Sequence, residues 1–477
     1  MMHLTAYRGR HVVVLGLARS GVAAAKLFHS FGADVVVNDK KERELCPEAD
    51  ELTALGISVV CGGHPDGLVT RETALLVKNP GIPYTSEPII VANRLGVEVV
   101  SEVEVAGHLS PAPIIGITGS NGKTTTTTLT GVLLEAAGLK PIVAGNIGRP
   151  LCEAAQEIAA DGWLVAELSS FQLKGTSDFK PHIACLLNLA ETHLDYHGTM
   201  ADYVGSKAKM FENQTSDDVA IYNEDDETCR RLAREFRGRH LPFSLTRSLP
   251  QGVIVEPPYL DIRPSEDEAV IDRWIVYRNE EGSEERILSV DELGIPGRHN
   301  VANALAAIAI SIAAGAELHK LSQPLRDFRG VEHRLEYVGT FNGVKFYNDS
   351  KATNPMASTM SILSLPSPLI LIAGGLDRGS DYMELLPVFR ERVSGLVSLG
   401  QTREKLGLVA SLAGLTRVKI VEPVDDAELT LRRAVEEAAA LAEPGDTILL
   451  SPACASWDMF SSYEARGRIF KQSAHTL

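Results

Sequence analysis

The sequence predicts an α/β protein of three domains: a Rossmann-like N-terminal domain, a central P-loop ATPase-like domain with a small antiparallel sheet, and a C-terminal Rossmann-like domain. Three observations lead there. Short apolar runs of strand length alternate with helical stretches almost throughout, as in parallel sheets covered by helices. Two glycine-rich loops, Gly16–Gly21 and Gly116–Thr124, each lie between a strand and a helix. The chain has 477 residues, too many for a single core, and about three domains at ~150 residues each.

The first domain, 1–109, opens with the apolar run His11–Leu17, a helix over Gly21–Phe31 and a strand at Val35–Asn38. Leu75–Val77 and Val97–Val100 read as further strands, and Pro111-Ala-Pro113 as a linker. The second domain, 110–327, begins with the strand Ile114–Ile117, a glycine loop and a threonine-rich helix start over 123–128. Trp163–Leu168 and Ile183–Asn188 are buried-strand candidates. Residues 245–293 are polar, carry prolines and alternate, as in 269–277, which predicts small antiparallel strands. The longest near-apolar stretch, Ala304–Ala316, has thirteen residues; it is too short to span a bilayer and reads as a buried helix. In the third domain, 328–477, strands at Lys345–Asn348, Leu369–Ala373, Gly395–Ser398, Val418–Val421 and Thr447–Leu450 again alternate with helices.

Composition narrows the function. Hydrophobic residues make up 44% and charged residues 23%, ordinary for a soluble globular chain. The 62 acidic against 46 basic residues leave a net charge of −16, a poor match to nucleic acid or an anionic membrane. Six cysteines without a CxxC pair predict reduced thiols in the cytoplasm. Only a short apolar run follows the basic residues of the first eleven positions, so no signal peptide is expected.

Gly16-Leu-Ala-Arg-Ser-Gly21, with Asp39 near the end of the next strand, nearly matches the dinucleotide fingerprint. Ala18 replaces the second glycine, where backbone meets the phosphates most closely. A nucleotide diphosphate site, an NAD site and a structural turn all remain open at this point.

The second loop is sharper. Gly116-Ile-Thr-Gly-Ser-Asn-Gly-Lys-Thr124 has the working end of a P-loop: backbone to cradle phosphates, Lys123 to neutralise them and the Thr124 hydroxyl for Mg²⁺. Ile117 stands where the strict pattern has glycine, so the loop is a variant. Glu167, at the end of the strand Trp163–Leu168, is placed as a second Mg²⁺ ligand. Asn188-Leu-Ala-Glu-Thr-His193-Leu-Asp195 gathers further ligating groups after another strand. On composition Lys207 is a surface lysine. In the third domain Glu332-His-Arg334, Asn348–Asn354, Gly374–Gly379 and Ser451–Ser456 follow linkers or strand ends, where α/β folds bind ligands. Cys454 reads as packing rather than a nucleophile, with no partner histidine assignable.

Together these motifs resemble the Mur ligase family, which builds the peptide stem of bacterial peptidoglycan. Gly119-Ser-Asn-Gly-Lys-Thr124 is similar to the family's G-T-N-G-K-T loop, with Ser120 for threonine. Within the family, the branch that adds D-glutamate is marked by Ser451-Pro-Ala-Cys-Ala-Ser456, Asp458-Met-Phe460 and Glu464-Ala-Arg-Gly467. Asn146-Ile-Gly148, Glu167-Leu-Ser-Ser-Phe-Gln172 and Gly297-Arg-His-Asn300 agree, so the resemblance runs from Gly16 to Phe470.

The resemblance implies an ADP-forming ligase joining D-glutamate to UDP-N-acetylmuramoyl-L-alanine through an acyl phosphate, in the cytoplasm and as a monomer. ATP and two Mg²⁺ ions are implied. Leu17, Ala18, Arg19, Asp39, Lys40, Asn79, Gly81, Asn146 and Ser169 would hold the UDP-sugar. Gly119, Ser120, Asn121, Gly122, Lys123, Thr124 and Thr125 would bind ATP with Asn303, Arg334 and Asp349, and His333 would lie nearby. Thr124 and Glu167 would share one metal and His193 ligate the other, beside a carbamylated Lys207. Lys123, His193, Lys207 and Lys351 would serve the chemistry itself, and Thr353, Arg378, Ser451 and Phe460 would surround D-glutamate. Arg378 stands where the family's Gly-Gly-Asp-Gly-Lys pattern has lysine, a residue that can grip a carboxylate bidentately. The competing readings are another Mur or folylpolyglutamate-type ligase, an NAD-dependent oxidoreductase and a nucleotide-switched binding protein. The first leaves the N-terminal domain without use, the second the P-loop, and the third predicts ATP binding without turnover.

Overall fold

The computed structural model describes residues 1, 3–192, 194–260, 271–424 and 426–477. It falls into two compact units, Met1–Leu293 with Val301–Arg326, and Gly294–Asn300 with Asp327–Leu477.

The first unit holds two sheets. Strands β1 (His11–Leu15), β2 (Asp34–Asn38), β3 (Ser58–Val60), β4 (Thr73–Lys78) and β5 (Val99–Ser101) form an all-parallel sheet in the order β3-β2-β1-β4-β5. Val12 to Leu15 of β1 are fully buried, which explains why the strand reads as an unbroken apolar run rather than an alternation. The strand order reverses between β1 and β4, and the loops that leave those strands carry Gly16 and Asn79. That reversal is where doubly wound sheets bind ligands.

The central sheet comprises β6 (Ile114–Thr118), β7 (Pro141–Gly145), β8 (Trp163–Glu167), β9 (Ile183–Leu186), β10 (Val219–Asn223), β11 (Arg239–Ser244), β12 (Gly252–Glu256), β13 (Trp274–Arg278) and β14 (Glu284–Ser289), in the order β14-β13-β12-β11-β10-β9-β6-β8-β7. The antiparallel strands expected over 245–293 are β12 to β14, but they do not make a sheet of their own. Phe243 and Ser244 of β11 pair in parallel with Val253 and Ile254 of β12, so the antiparallel strands extend the central sheet. Alternation records a half-exposed face and says nothing of the pairing partner. Ala269 and Val270, the start of the alternating run, lie outside the described residues. The apolar helix predicted over 304–316 runs from Arg298 to Ala313, with Ala304–Ile310 fully buried.

The helix Glu102–Leu109 knits the two sheets together. The Glu104 carboxylate accepts the backbone N–H groups of Ser177 (2.9 Å), Asp178 (2.9 Å) and Phe179 (3.1 Å). Glu102 accepts the N–H of Cys152, and burial pushes its carboxyl up to about 7. Its folded value lies above the unfolded one, so its contribution to stability is complete in acid and is lost as pH rises through about 7. Glu102→Gln keeps the acceptor oxygen and removes the buried charge. It is expected to stabilise by roughly 2–3 kcal/mol at pH 8 and by nothing measurable at pH 4, as read from urea unfolding at both.

The second unit is built on β15 (Glu336–Phe341), β16 (Val344–Asn348), β17 (Leu369–Gly374), β18 (Val393–Leu399), β19 (Val418–Ile420) and β20 (Thr447–Leu450). Their order is β15-β16-β20-β17-β18-β19, parallel except for β15 against β16, with an apolar layer on each face. The helix Tyr463–His475 carries the fully buried Arg466, which donates to Ser350 O (2.9 Å) and Cys454 O (3.1 Å) and so ties the β16 and β20 loops together. Among the described residues no helix is long and apolar enough to cross a membrane.

Candidate active site

The loop between β6 and the helix Lys123–Ala137 has the P-loop arrangement. Gly122 has φ 82°, and a Cβ there would come within 2.2 Å of Asn303 Oδ1. Only glycine suits that left-handed backbone and that approach. Lys123 Nζ donates to the carbonyls of Gly119 (2.7 Å) and Ser120 (2.9 Å) and so arches over the loop. Asn188 clamps it from the loop after β9: its Oδ1 accepts Asn121 N–H (2.8 Å), and its Nδ2 donates to Asn121 O (3.1 Å). Ser120 Oγ lies 2.7 Å from Tyr203 OH and accepts the N–H of Ala190 at 2.9 Å. Thr124 and Thr125 are buried in the first turn of the helix. Asn303 sits beside this helix and accepts from the Thr126 hydroxyl at 3.4 Å.

Glu167 ends β8 and is buried. Its Oε1 accepts Asn146 Nδ2 at 2.9 Å, while its Oε2 is buried with no hydrogen-bond partner among the described residues. A buried anionic oxygen without a donor is costly unless a cation completes it, so this group fits a metal ligand.

Lys207 is not a surface lysine. It is 1% exposed, and its Nζ donates to Thr118 Oγ1 (3.2 Å) and Gly119 O (2.9 Å) while lying over the Tyr203 ring. Burial, then the charge of Lys123, holds its pKa well below the ordinary lysine range. An amine depleted of its proton is the form that can react with CO₂, and the resulting carbamate would be an anionic oxygen ligand. The sequence did hold a signal. Tyr203, Lys207, Met210 and Phe211 share the buried face of the helix Met200–Glu212 at i, i+4, i+7 and i+8, so the lysine sits on an apolar stripe. His193 lies outside the described residues.

At the first glycine loop Asp39 is already engaged. Its Oδ2 accepts Leu17 N–H (2.8 Å) and its Oδ1 accepts Lys41 N–H (2.9 Å). Asn79 Nδ2 donates to Ser20 Oγ at 3.1 Å, and a Cβ on Gly16 would lie 2.8 Å from Asn79 Cβ, so the two loops pack closely. Ala18, Arg19, Lys40 and Gly81 are exposed around them, whereas Leu17 is buried. Asn146 and Ser169 lie on the loops after β7 and β8, and Ser169 caps the next helix turn with Gln172.

The second unit gathers its own set at the ends of β16, β17 and β20. Burial pushes the Asp349 carboxyl up to about 6, although the Ser451 hydroxyl (2.9 Å) and Leu335 N–H (3.2 Å) donate to it. His333 and Leu335 adopt φ 65° and 45°, a strained turn that holds Arg334 between them, its Nε buried and without a partner among the described residues. Lys351 Nζ lies 5.6 Å from the Tyr463 ring centre, and Thr353 follows two residues on. Ser451 is fully buried and also bonded to Ser358 Oγ (2.9 Å), and Phe460 belongs to an apolar layer with Phe346 and Phe470. Both stand beneath the loop surface rather than on it. Sequence reasoning missed Trp457, 67% exposed, whose ring centre lies 5.3 Å from the exposed Arg378 guanidinium. A tryptophan following the small-residue run Ser451–Ser456, after a strand end, was the available signal. Cys454 is buried and its thiol pKa is raised by burial, so it packs and does not react as a nucleophile.

Comparison with known proteins accounts for almost the whole chain. Residues 10–101 match the MurD-like N-terminal domain of Mur ligases, 117–311 the Mur ligase middle domain and 333–454 the Mur ligase glutamate ligase domain. The UDP-N-acetylmuramoylalanine–D-glutamate ligase of Geobacillus sp. (strain WCH70) is 46% identical over 472 residues, covering 99% of this chain and 98% of the relative. That of Bacillus cytotoxicus is 44% identical over the full length of both. Among solved structures, the UDP-N-acetylmuramate-alanine ligase MurC of Thermotoga maritima aligns with TM-score 0.58 at 19% identity, covering 98% of this chain and 99% of that one. The MurF ligase of Thermotoga maritima in complex with ADP aligns with TM-score 0.57 at 16% identity over both chains entire. A P-loop, a doubly wound domain on either side of it and full-length relatives at this identity have one common explanation: the chain belongs to the Mur ligase family.

Proposed function

We propose that this protein is an ADP-forming ligase that joins D-glutamate to UDP-N-acetylmuramoyl-L-alanine in peptidoglycan precursor synthesis. One observation carries the chemistry. A P-loop, an oxygen of Glu167 without a partner among the described residues and the buried amine of Lys207 converge within one unit of the protein. The names of the full-length relatives support the choice of substrates.

In this reading residues 1–109 bind the UDP-sugar, 110–327 bind ATP and 328–477 bind the amino acid. The alanyl carboxylate attacks the γ-phosphorus of ATP and displaces ADP, giving an acyl phosphate, because a carboxylate is too poor an electrophile to meet an amine directly. The amine of D-glutamate then attacks the acyl carbon, and phosphate leaves. Lys123, the loop amides and Asn303 hold the phosphates and orient them for in-line transfer. Arg334, Asp349 and Lys351 contact ATP from the C-terminal domain. Thr353 and Arg378 meet D-glutamate, with Ser451 and Phe460 shaping the floor beneath. Leu17, Ala18, Arg19, Asp39, Lys40, Asn79, Gly81, Asn146 and Ser169 bind the UDP-sugar. Two Mg²⁺ ions, one held by Thr124 and Glu167 and one by His193 beside a carbamylated Lys207, would neutralise charge on the transferred phosphoryl group. The enzyme works as a cytoplasmic monomer.

Phosphate release tests the reading. It is expected only when UDP-N-acetylmuramoyl-L-alanine, ATP and D-glutamate are all present. Equal stimulation by L-glutamate or lysine would overturn the substrate assignment.

A further inference from the structure

We propose that Tyr196 is a positioning residue. It fixes the loop Asn79–Ile82, and the UDP-sugar bound there, relative to the helix Leu194–His197. The inference rests on the reading of that loop as part of the UDP-sugar site.

Tyr196 lies in the short helix Leu194–His197, yet its hydroxyl reaches the loop after β4. It is 3.2 Å from Pro80 O, 3.2 Å from Ile82 O and 3.3 Å from Lys78 Nζ. The proton count is complete. The Lys78 ammonium donates to the phenol oxygen and to Pro80 O (3.1 Å), and the single phenol proton is shared between the two carbonyls. Lys78 is fully buried, and among the described residues no carboxylate pairs with it. Its charge is met by the Tyr84 ring at 4.7 Å and the Tyr196 ring at 6.0 Å. Burial and the nearby Lys174 lower its pKa to about 7, a measure of what the fold spends to keep an amine at this junction.

Both ends of the link are anchored. Phe171 packs edge-on against Tyr196 at 4.5 Å. The next residue, His197, bonds Asp202 Oδ2 through Nδ1 (2.6 Å) and Ser170 Oγ through Nε2 (2.9 Å). Asp202 lies on the helix that carries Lys207, and Ser170 follows Ser169. On the other side, Asn79 reaches Ser20 and packs on Gly16. Between the substrate loop and the metal-side segment, a hydroxyl and two peptide carbonyls set the separation. A shift of about 1 Å between reacting groups is enough to cost a large factor in rate.

The test is Tyr196→Phe, which keeps the ring and its packing and removes only the hydroxyl. The Michaelis constant for UDP-N-acetylmuramoyl-L-alanine is expected to rise about tenfold, the size of one lost hydrogen-bond anchor, with the constants for ATP and D-glutamate within about twofold. Thermal unfolding should barely move. Lys78→Met, which leaves the phenol free to donate to both carbonyls, should raise the same constant less than Tyr196→Phe does. The proposal is overturned if Tyr196→Phe leaves that constant unchanged, if all three constants rise together with a fall in melting temperature, or if Lys78→Met has the larger effect. Wild-type phosphate release, measured alongside, tests the functional reading separately: failure there concerns the substrates and not the tether.

Discussion

Replacing Lys207 by methionine is expected to lower turnover by at least about a thousandfold while leaving the protein as resistant to unfolding as before, or more so. The two effects have different origins. Lys207 is buried with its amine 2.9 Å from Gly119 O and its charge opposed by Lys123, so as a plain ammonium it is a liability to the fold. Methionine fills similar volume without a charge to desolvate. It cannot be carbamylated, so the site would lose an anionic oxygen that the phosphoryl transfer needs. Depleting CO₂ and bicarbonate should lower wild-type turnover reversibly and leave the variant unaffected. Phosphate release and thermal unfolding, run on both proteins with and without bicarbonate, decide the matter. A variant retaining more than about a tenth of wild-type turnover would remove Lys207 from the chemistry, since one ligand to a catalytic charge is worth more than that.

Lys123→Met is expected to be as severe, at roughly a thousandfold or more in turnover, for an electrostatic reason. In the present geometry Lys123 Nζ is satisfied by two carbonyls of its own loop, 2.7 and 2.9 Å away. It therefore needs no rearrangement of the backbone to meet a phosphate there. Removing the cation leaves the loop amides and their clamp by Asn188 in place. Binding of ATP should consequently suffer less than turnover, because the charge matters most when it develops in transfer. Separate measurement of ATP dissociation and of turnover checks this. Equal loss in both would make Lys123 a binding residue alone.

Much of the fold was legible in the sequence. β1, β6, β8, β9, β17, β18 and β20 were expected almost where they lie, because parallel strands buried on both faces read as continuous apolar runs. β3, β7, β10, β11 and β15 went unread. β3 has three residues, β7 begins with Pro141 and β15 is mostly half-exposed, so none gives a clean period. The P-loop was legible because its constraints are local: a strand, a left-handed glycine and a helix start within nine residues. Glu167 was legible for the same reason, as a carboxylate at a strand end.

Other site groups were not, and the reasons are physical. Composition around Lys207 matches a solvated lysine, and only the helical spacing of Tyr203, Met210 and Phe211, which carry its helix face inward, marks it for burial. Arg378 and Trp457 are 79 positions apart in sequence and meet only because β17 and β20 are neighbours. Ser451 was expected in a ligand-binding loop after a strand, yet its hydroxyl is buried and donates to Asp349, 102 residues away. The sequence by itself determined the α/β class, the phosphate loop and, through its motifs, the family, since each depends on residues close along the chain. The tertiary structure alone decided that the Lys207 amine meets Thr118 and Gly119, that Glu167 keeps an oxygen without a partner among the described residues and that Tyr196 grips the Asn79 loop. Those facts depend on desolvation and long-range contact, which strand order and packing create and local sequence does not encode.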